Sequence, residues 1–415
     1  MESLLIYSSF LFLILVIYII AGFRLTFTNI FFLLFFLFYG PAFVVYHIGN
    51  SMNVYVQTLS VILCMFLFFF WAGNIFTKNI LSRLKTHATY DYKTWFDKPE
   101  MEGYINLKTL MLFVLIFSII LVLGLFVYGG LNSFRSVLSN SSIAPEEYRR
   151  LRAESGVNGW ISVFYAYVTT AIGRIVGFVY LGYAVTRKKT GHSILAFLYL
   201  LLLLVSQLAN LSKTGFVLLL LQIVILLLLI YKVKFNFLKM IFGAIILLII
   251  LIPIFIYSTD SGNVSVALKT ISYRVFEEPN RVLAMYIENW PDKISHKWGM
   301  NIRLIHQLFE TAPFYSSDVI LGGKKLGSTF NAIFLGDAWV DFSYMGIVIE
   351  SFFIGAYLAV IDFWVFRKNN IMTKAMFAGL LLSMFSLSSI ALLATMVTFG
   401  LVSIPVMVYL LRIKY

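Results

Sequence analysis

The sequence predicts an all-α, polytopic transmembrane helix bundle, and three observations carry that expectation. The 415 residues are 60% hydrophobic and only 12% charged, about half the charged share of a soluble domain. Mean hydropathy is +0.90. Several uninterrupted apolar runs reach the roughly 20 residues a helix needs to cross about 30 Å of hydrocarbon. They lack the apolar/polar alternation of barrel strands, so the backbone must satisfy itself within helices.

The runs place spans at about 4–22, 29–47, 54–76, 109–128, 160–186, 193–210, 214–231, 239–257, 344–366, 372–392 and 395–411, about 11 helices in all. The first run, Leu4 to Ala21, has neither a basic leader nor a small-residue cleavage site and reads as a retained span. Under this count Arg24, the Lys78/Arg83/Lys85 cluster, Arg187-Lys188-Lys189, Lys232/Lys234, Arg367-Lys368 and Arg412/Lys414 all fall on one side. Positive charge in short connections marks the cytoplasmic face, which puts the N-terminus outside and the C-terminus inside. The expected organisation is an N-terminal bundle, 1–258, carrying an external loop at 129–159. A large external loop, 259–343, and C-terminal membrane helices, 344–415, follow. Between spans, KNILSRLKTH reads as an interfacial helix whose Lys and Arg reach for headgroups.

Within the large loop, Val266, Ala267, Ile271 and Val275 recur at helical spacing, and Pro279 starts a second helical stretch running to Trp290, so two short helices meet at EEPN. Residues 299–311 suit a third helix, and GGKKLG at 322–327 a turn.

The net charge of +13 is scattered between spans rather than gathered on one soluble face, which excludes nucleic acid as a partner. Cys64 is the sole cysteine, so no disulfide framework or thiolate metal site forms, and the five histidines show no ligand spacing. No metal or other cofactor is expected. No Walker, HExxH, CxxC or GxGxxG pattern is present.

Ionisable groups inside a span are costly, by about 2.5–3.5 kcal/mol on insertion scales, so each is a functional candidate. Arg174 sits mid-span, Lys213 lies in the short turn ANLSKTG, and Asp337, Asp341 and Glu350 straddle the helix after the large loop. Arg149, Arg150 and Arg152 come from the first external loop and Arg274, Arg281 and Arg303 from the second. The planar fork of arginine matches phosphate oxygens, so this pattern suits a lipid diphosphate headgroup. The alternative for the loop arginines is a solvated surface, and for Glu350 a packing contact. Asp337 and Asp341, four apart, share a helix face, where one is protonated, paired with Arg, or available as a general base. Trp290, Trp298 and Trp339 are candidates for stacking on sugar rings, against the alternative of an aromatic belt.

The loop string E-Y-R-R-L-R-A-E-S-G, the S-K-T-G turn between Leu-rich spans, R-V-F…N-R in the late loop and the re-entry G-S-T-F-N…G-D-A-W-V-D-F-S-Y-M-G together resemble the O-antigen and capsular repeat-unit polymerases (Wzy-type). The likeness covers the whole chain in layout. It implies a GT-C-like bundle in the bacterial plasma (inner) membrane, with a periplasmic or extracellular active site that polymerises undecaprenyl-diphosphate-linked oligosaccharide repeats. The glycan would pass from one lipid carrier to the non-reducing end of another lipid-linked repeat. In that resemblance Arg150 or Arg152, Arg274 and Arg281 hold diphosphates, and Lys213 stands where the family often has a basic residue. Arg174 joins them as the buried cation. Arg neutralises the diphosphate leaving group where other enzymes use a metal, and Asp337 or Asp341 is the base, with Glu277 next. A chain-length regulator and a flippase are the expected protein partners. The rival readings are an O-antigen-type ligase, a lipid-linked oligosaccharide transporter or flippase, and a membrane assembly subunit.

Overall fold

Among the described residues, the apolar runs fold as helices. A computed structural model describes residues 2–21, 24–83, 91–101, 105–132, 135, 161–209, 213–233, 264–301, 306, 308–309, 316–321 and 333–412, and among the described residues every regular element is a helix. Five helices are long and apolar enough to cross a membrane: Phe27–Gly49, Val54–Arg83, Leu107–Val127, Thr190–Ala209 and Leu335–Phe366. A sixth candidate is the pair Phe164–Thr170 and Ile172–Thr186, bent by 43°. Glu2–Tyr18, Gly215–Ile230 and Ile371–Leu387 are shorter apolar helices. The span expected at 239–257 lies outside the described residues, and the one expected at 395–411 is two short helices, Leu392–Val397 and Ser403–Leu410. The turn expected at 322–327 and most of the helix expected at 299–311 also lie outside the described residues. The chain divides into two compact units.

Unit 1 comprises residues 1–93, 235–364 and 387–392. Its first helices are α1 (Glu2–Ala21), α2 (Phe27–Tyr39), α3 (Pro41–Gly49) and α4 (Val54–Arg83). Thr26 caps α2, its hydroxyl accepting from Asn29 N at 3.1 Å. The N-terminus of α2 also meets a buried carboxylate. Asp362 accepts from Phe27 N at 2.6 Å and from the Thr28 hydroxyl at 2.6 Å, so a negative charge sits against the exposed N–H groups and positive dipole end of the helix. Gly40 and Pro41 then separate α2 from α3, because proline cannot donate to the preceding turn. The interfacial helix expected at 78–87 begins as a straight continuation of α4 through Arg83.

Rings fill the middle of this unit. Phe35 lies 4.6 Å from Phe66, and Phe31 lies 5.5 Å from Phe70, centroid to centroid.

The loop-borne part of unit 1 is α11 (Val264–Ser272), a π turn (Tyr273–Glu277), α12 (Glu278–Asn289) and α13 (Ser317–Leu321), followed by the long α14 (Leu335–Phe366). The junction expected at EEPN is a continuous passage through the π turn, with Pro279 in the first turn of α12, where a missing N–H is harmless. Asn280 donates to Phe38 O at 2.9 Å and so ties α12 to α2. Inside α14, Phe342 and Ser343 leave helical geometry, Ser343 at φ 53°, and kink the helix just below Asp341.

Unit 2 comprises residues 94–234, 365–386 and 393–415. It holds most of α5 (Tyr92–Asp97), then α6 (Leu107–Val122) with a π turn at Leu123–Val127, α7 (Ser162–Thr170), α8 (Ile172–Thr186), α9 (Thr190–Ala209), α10 (Lys213–Ile230), α15 (Ile371–Leu387), α16 (Leu392–Val397) and α17 (Ser403–Leu410). Asn370 and Thr373 cap α15 reciprocally, each side chain accepting from the other's backbone N–H at 3.0 and 3.1 Å. Lys374, with a side chain 2% exposed, bonds Glu100 at 2.8 Å.

Candidate functional site

The densest polar constellation among the expected residues forms at the head of α14 in unit 1. Asp337 and Asp341 sit one turn apart there, and the segment 296–301 docks on that turn. Backbone N–H groups of Lys297 and Trp298 donate to Val340 O and Asp341 O at 2.9 and 3.0 Å. Asp341 answers with its side chain, Oδ1 accepting from Gly299 N and Asn301 N, both at 3.1 Å. This clamp uses unusual backbone: Trp298 lies at φ 51° and Gly299 at φ 87°. A bulky residue held in the left-handed region is a strained position that the surrounding bonds must enforce.

Asn301 is the hub. Its amide nitrogen donates to Asp337 Oδ1 at 2.6 Å and to Ser317 Oγ at 3.1 Å, while its carbonyl oxygen accepts from Ser317 N at 2.9 Å and Lys297 Nζ at 3.2 Å. Ser317 Oγ donates to Asp337 Oδ1 at 2.5 Å, and the Tyr286 hydroxyl lies 3.4 Å from Ser317 Oγ. Asp337 remains half-buried, whereas Asp341 is 5% exposed. The two carboxylates thus differ in their partners: Asp341 organises the 296–301 turn, and Asp337 is held by the Asn301 and Ser317 side chains.

The three tryptophans separate in the same way. Trp290 is fully buried against Tyr286, ring centroids 5.8 Å apart, and its carbonyl accepts from Trp339 Nε1 at 2.8 Å. Trp339, 5% exposed, is closed in by Tyr344 at 5.0 Å and His296 at 5.7 Å. Neither ring offers a free face for a sugar, because the fold uses both as core. Trp298, 67% exposed, is the one of the three that does.

The cationic candidates distribute over both units. Arg274 and Arg281 are exposed on the π turn and α12 of unit 1, with the Arg281 guanidinium carbon 6.0 Å from the centre of the Tyr273 ring. Glu277, on the same π turn, lines a cavity whose walls include neither Asp337 nor Asp341. Arg174 belongs to unit 2, is 2% exposed, and donates to Thr169 O at 2.8 Å, Gln222 Oε1 at 3.0 Å and Gly215 O at 3.4 Å. The 43° bend between α7 and α8 strips carbonyls of their helical partners, and Arg174 restores one of them, helped by Gln207 Nε2 to Thr169 O at 2.9 Å. Its partners are all neutral oxygens among the described residues. Arg149, Arg150, Arg152, Arg303 and the Lys213 side chain lie outside the described residues.

Asn301, Ser317 and Tyr286 stand out in no sequence pattern, and only weak signals mark them. A Trp-Gly pair before Asn301 hints at left-handed backbone, and Ser-Ser-Asp at 316–318 reads as a helix start. Among the described residues no group of three or more His, Cys, Asp or Glu is arranged to hold a metal ion. Set against models of protein families, curated proteins and solved structures, the chain finds no match.

Proposed function

We propose that this chain is an integral-membrane glycosyltransferase of the plasma membrane that polymerises oligosaccharide repeats carried on undecaprenyl diphosphate, working on the outer face without a metal cofactor. The observation that carries the reading is Asp337, a half-buried carboxylate at the head of a membrane-spanning helix, held by Asn301 and Ser317 and accompanied by exposed Trp298. A carboxylate so held is suited to take a proton from an acceptor hydroxyl. The freed oxygen would attack the anomeric carbon of the donor as the bond to the carrier diphosphate breaks, and the diphosphate would leave with the electron pair. Exposed Arg274 and Arg281 in the same unit have the chemistry to meet that charge. Asp341 acts as a positioning residue through the 299–301 backbone, and Trp298 offers a ring face to the acceptor sugar.

The test is an assay of purified protein with lipid-linked repeats. Asp337→Asn preserves shape and removes the base, so the product ladder should fall by about 100-fold or more. Arg274→Ala combined with Arg281→Ala should lose the ladder as well. Wild-type ladders from both variants would end the proposal. A single transfer in place of a ladder would mark a ligase, and movement of lipid-linked sugar without a new bond a transporter.

A further inference from the structure

A second feature of unit 1 takes no part in the constellation around Asp337. A cavity of about 730 Å³ lies between α2–α3 and the segment 269–277, a size typical of small-molecule sites. Phe36, Leu37, Val45 and Phe276 give it apolar walls, and Lys269 and Glu277 both line it. The two walls share a peculiarity: each departs from regular α-helix where it faces the cavity. One does so at the Gly40–Pro41 break and the other at the π turn Tyr273–Glu277, a kind of irregularity that recurs at functional sites. Tyr273, also in the lining, carries the Arg281 guanidinium over its ring at 6.0 Å.

We infer that this cavity holds a hydrocarbon chain of a bilayer phospholipid, with the lipid phosphate drawn to Lys269. The first wall belongs to Phe27–Gly49, a segment apolar enough to span the membrane, so the solvent offered to it is lipid. Apolar walls with a lysine among the lining residues match an acyl chain that ends in a phosphate. Glu277 selects the head. A phosphodiester brings one negative charge past it, whereas a carrier diphosphate brings a second charge against the Glu277 carboxylate. The site therefore serves a structural lipid and stands apart from the group-transfer chemistry proposed above.

Native mass spectrometry of the full chain released from nanodiscs of phosphatidylglycerol and phosphatidylethanolamine provides the test. The unaltered protein should retain one phospholipid. Lys269→Glu, a change at an exposed position, should lower retention about tenfold by replacing an attraction with a repulsion. Ala42→Trp, which fills the cavity from the α3 side, should abolish retention, and equimolar polyprenyl diphosphate should leave the bound phospholipid in place. Equal retention by Lys269→Glu and the unaltered protein overturns the inference, as does displacement by the polyprenyl diphosphate. The readout is bound lipid, so it stands or falls separately from the product ladder.

Discussion

At the scale of single residues, Arg174 shows what a buried cation does when its partners among the described residues are all neutral. Its guanidinium reaches a carbonyl at the helix bend, the Gln222 amide and a carbonyl at the start of α10 at once. Only a planar fork spans three such directions, since an ammonium is a compact point charge on a flexible stem. Arg174→Lys should therefore lower stability by about 2–3 kcal/mol through lost charged hydrogen bonds, read as a drop in Tm in detergent. An unchanged Tm would mean that the fork is dispensable. The sequence marked Arg174 as needing a partner but not which one. Gln222 lies 48 residues away and Gln207 33, and neutral amides carry no signal in hydropathy. Trp290 and Trp339 teach the complementary lesson: an amphipathic ring reads the same in a sequence whether its face is covered by Tyr286 and Tyr344 or left open like that of Trp298.

At the scale of elements, α4 and α14 pack as closely as two backbones can. A Cβ on Gly355 would fall 1.9 Å from Phe70 O, and one on Gly73 2.1 Å from Phe352 O. Small residues at such crossings replace the hydrophobic drive that lipid removes. Asn74 uses the closeness, donating to Gly355 O at 3.1 Å and Thr28 Oγ1 at 3.0 Å. Gly355→Leu should force the helices apart and lose about 2 kcal/mol or more, while Gly49→Ala, with nothing within 4 Å of the new Cβ, serves as the neutral control. Equal Tm values for the two variants would show that the crossing tolerates separation. The helices themselves were legible because an apolar run must satisfy its own backbone. The breaks were less so: Gly40–Pro41 interrupts one continuous run, and the bend at Ala171 falls where no proline announces it.

At the scale of the whole molecule, the sequence predicts membrane helices that alternate sides, with Lys and Arg accumulating on one of them, and that bias follows from the energetics of translocating positive charge. On that expectation the polar constellation at the head of α14 would lie on the opposite side, since the connection carrying Trp298 is one expected crossing away from the basic connection Lys232/Lys234. That this polar interval carries helices among its described residues was readable, because so long a stretch between apolar runs is improbable as a structureless loop. Its architecture was not, since Asn301 and Ser317 meet Asp337 from 36 and 20 positions away. Sidedness is open to a direct test because Cys64 is the sole cysteine. On a Cys64→Ser background, a cysteine at exposed Trp298 should react with a membrane-impermeant maleimide added to intact cells, whereas one at exposed Lys188 should react only after permeabilisation. A cysteine at Trp298 that reacts only after permeabilisation would overturn the proposed glycan transfer, because a lipid-linked repeat exposed outside the cell would then never meet Asp337.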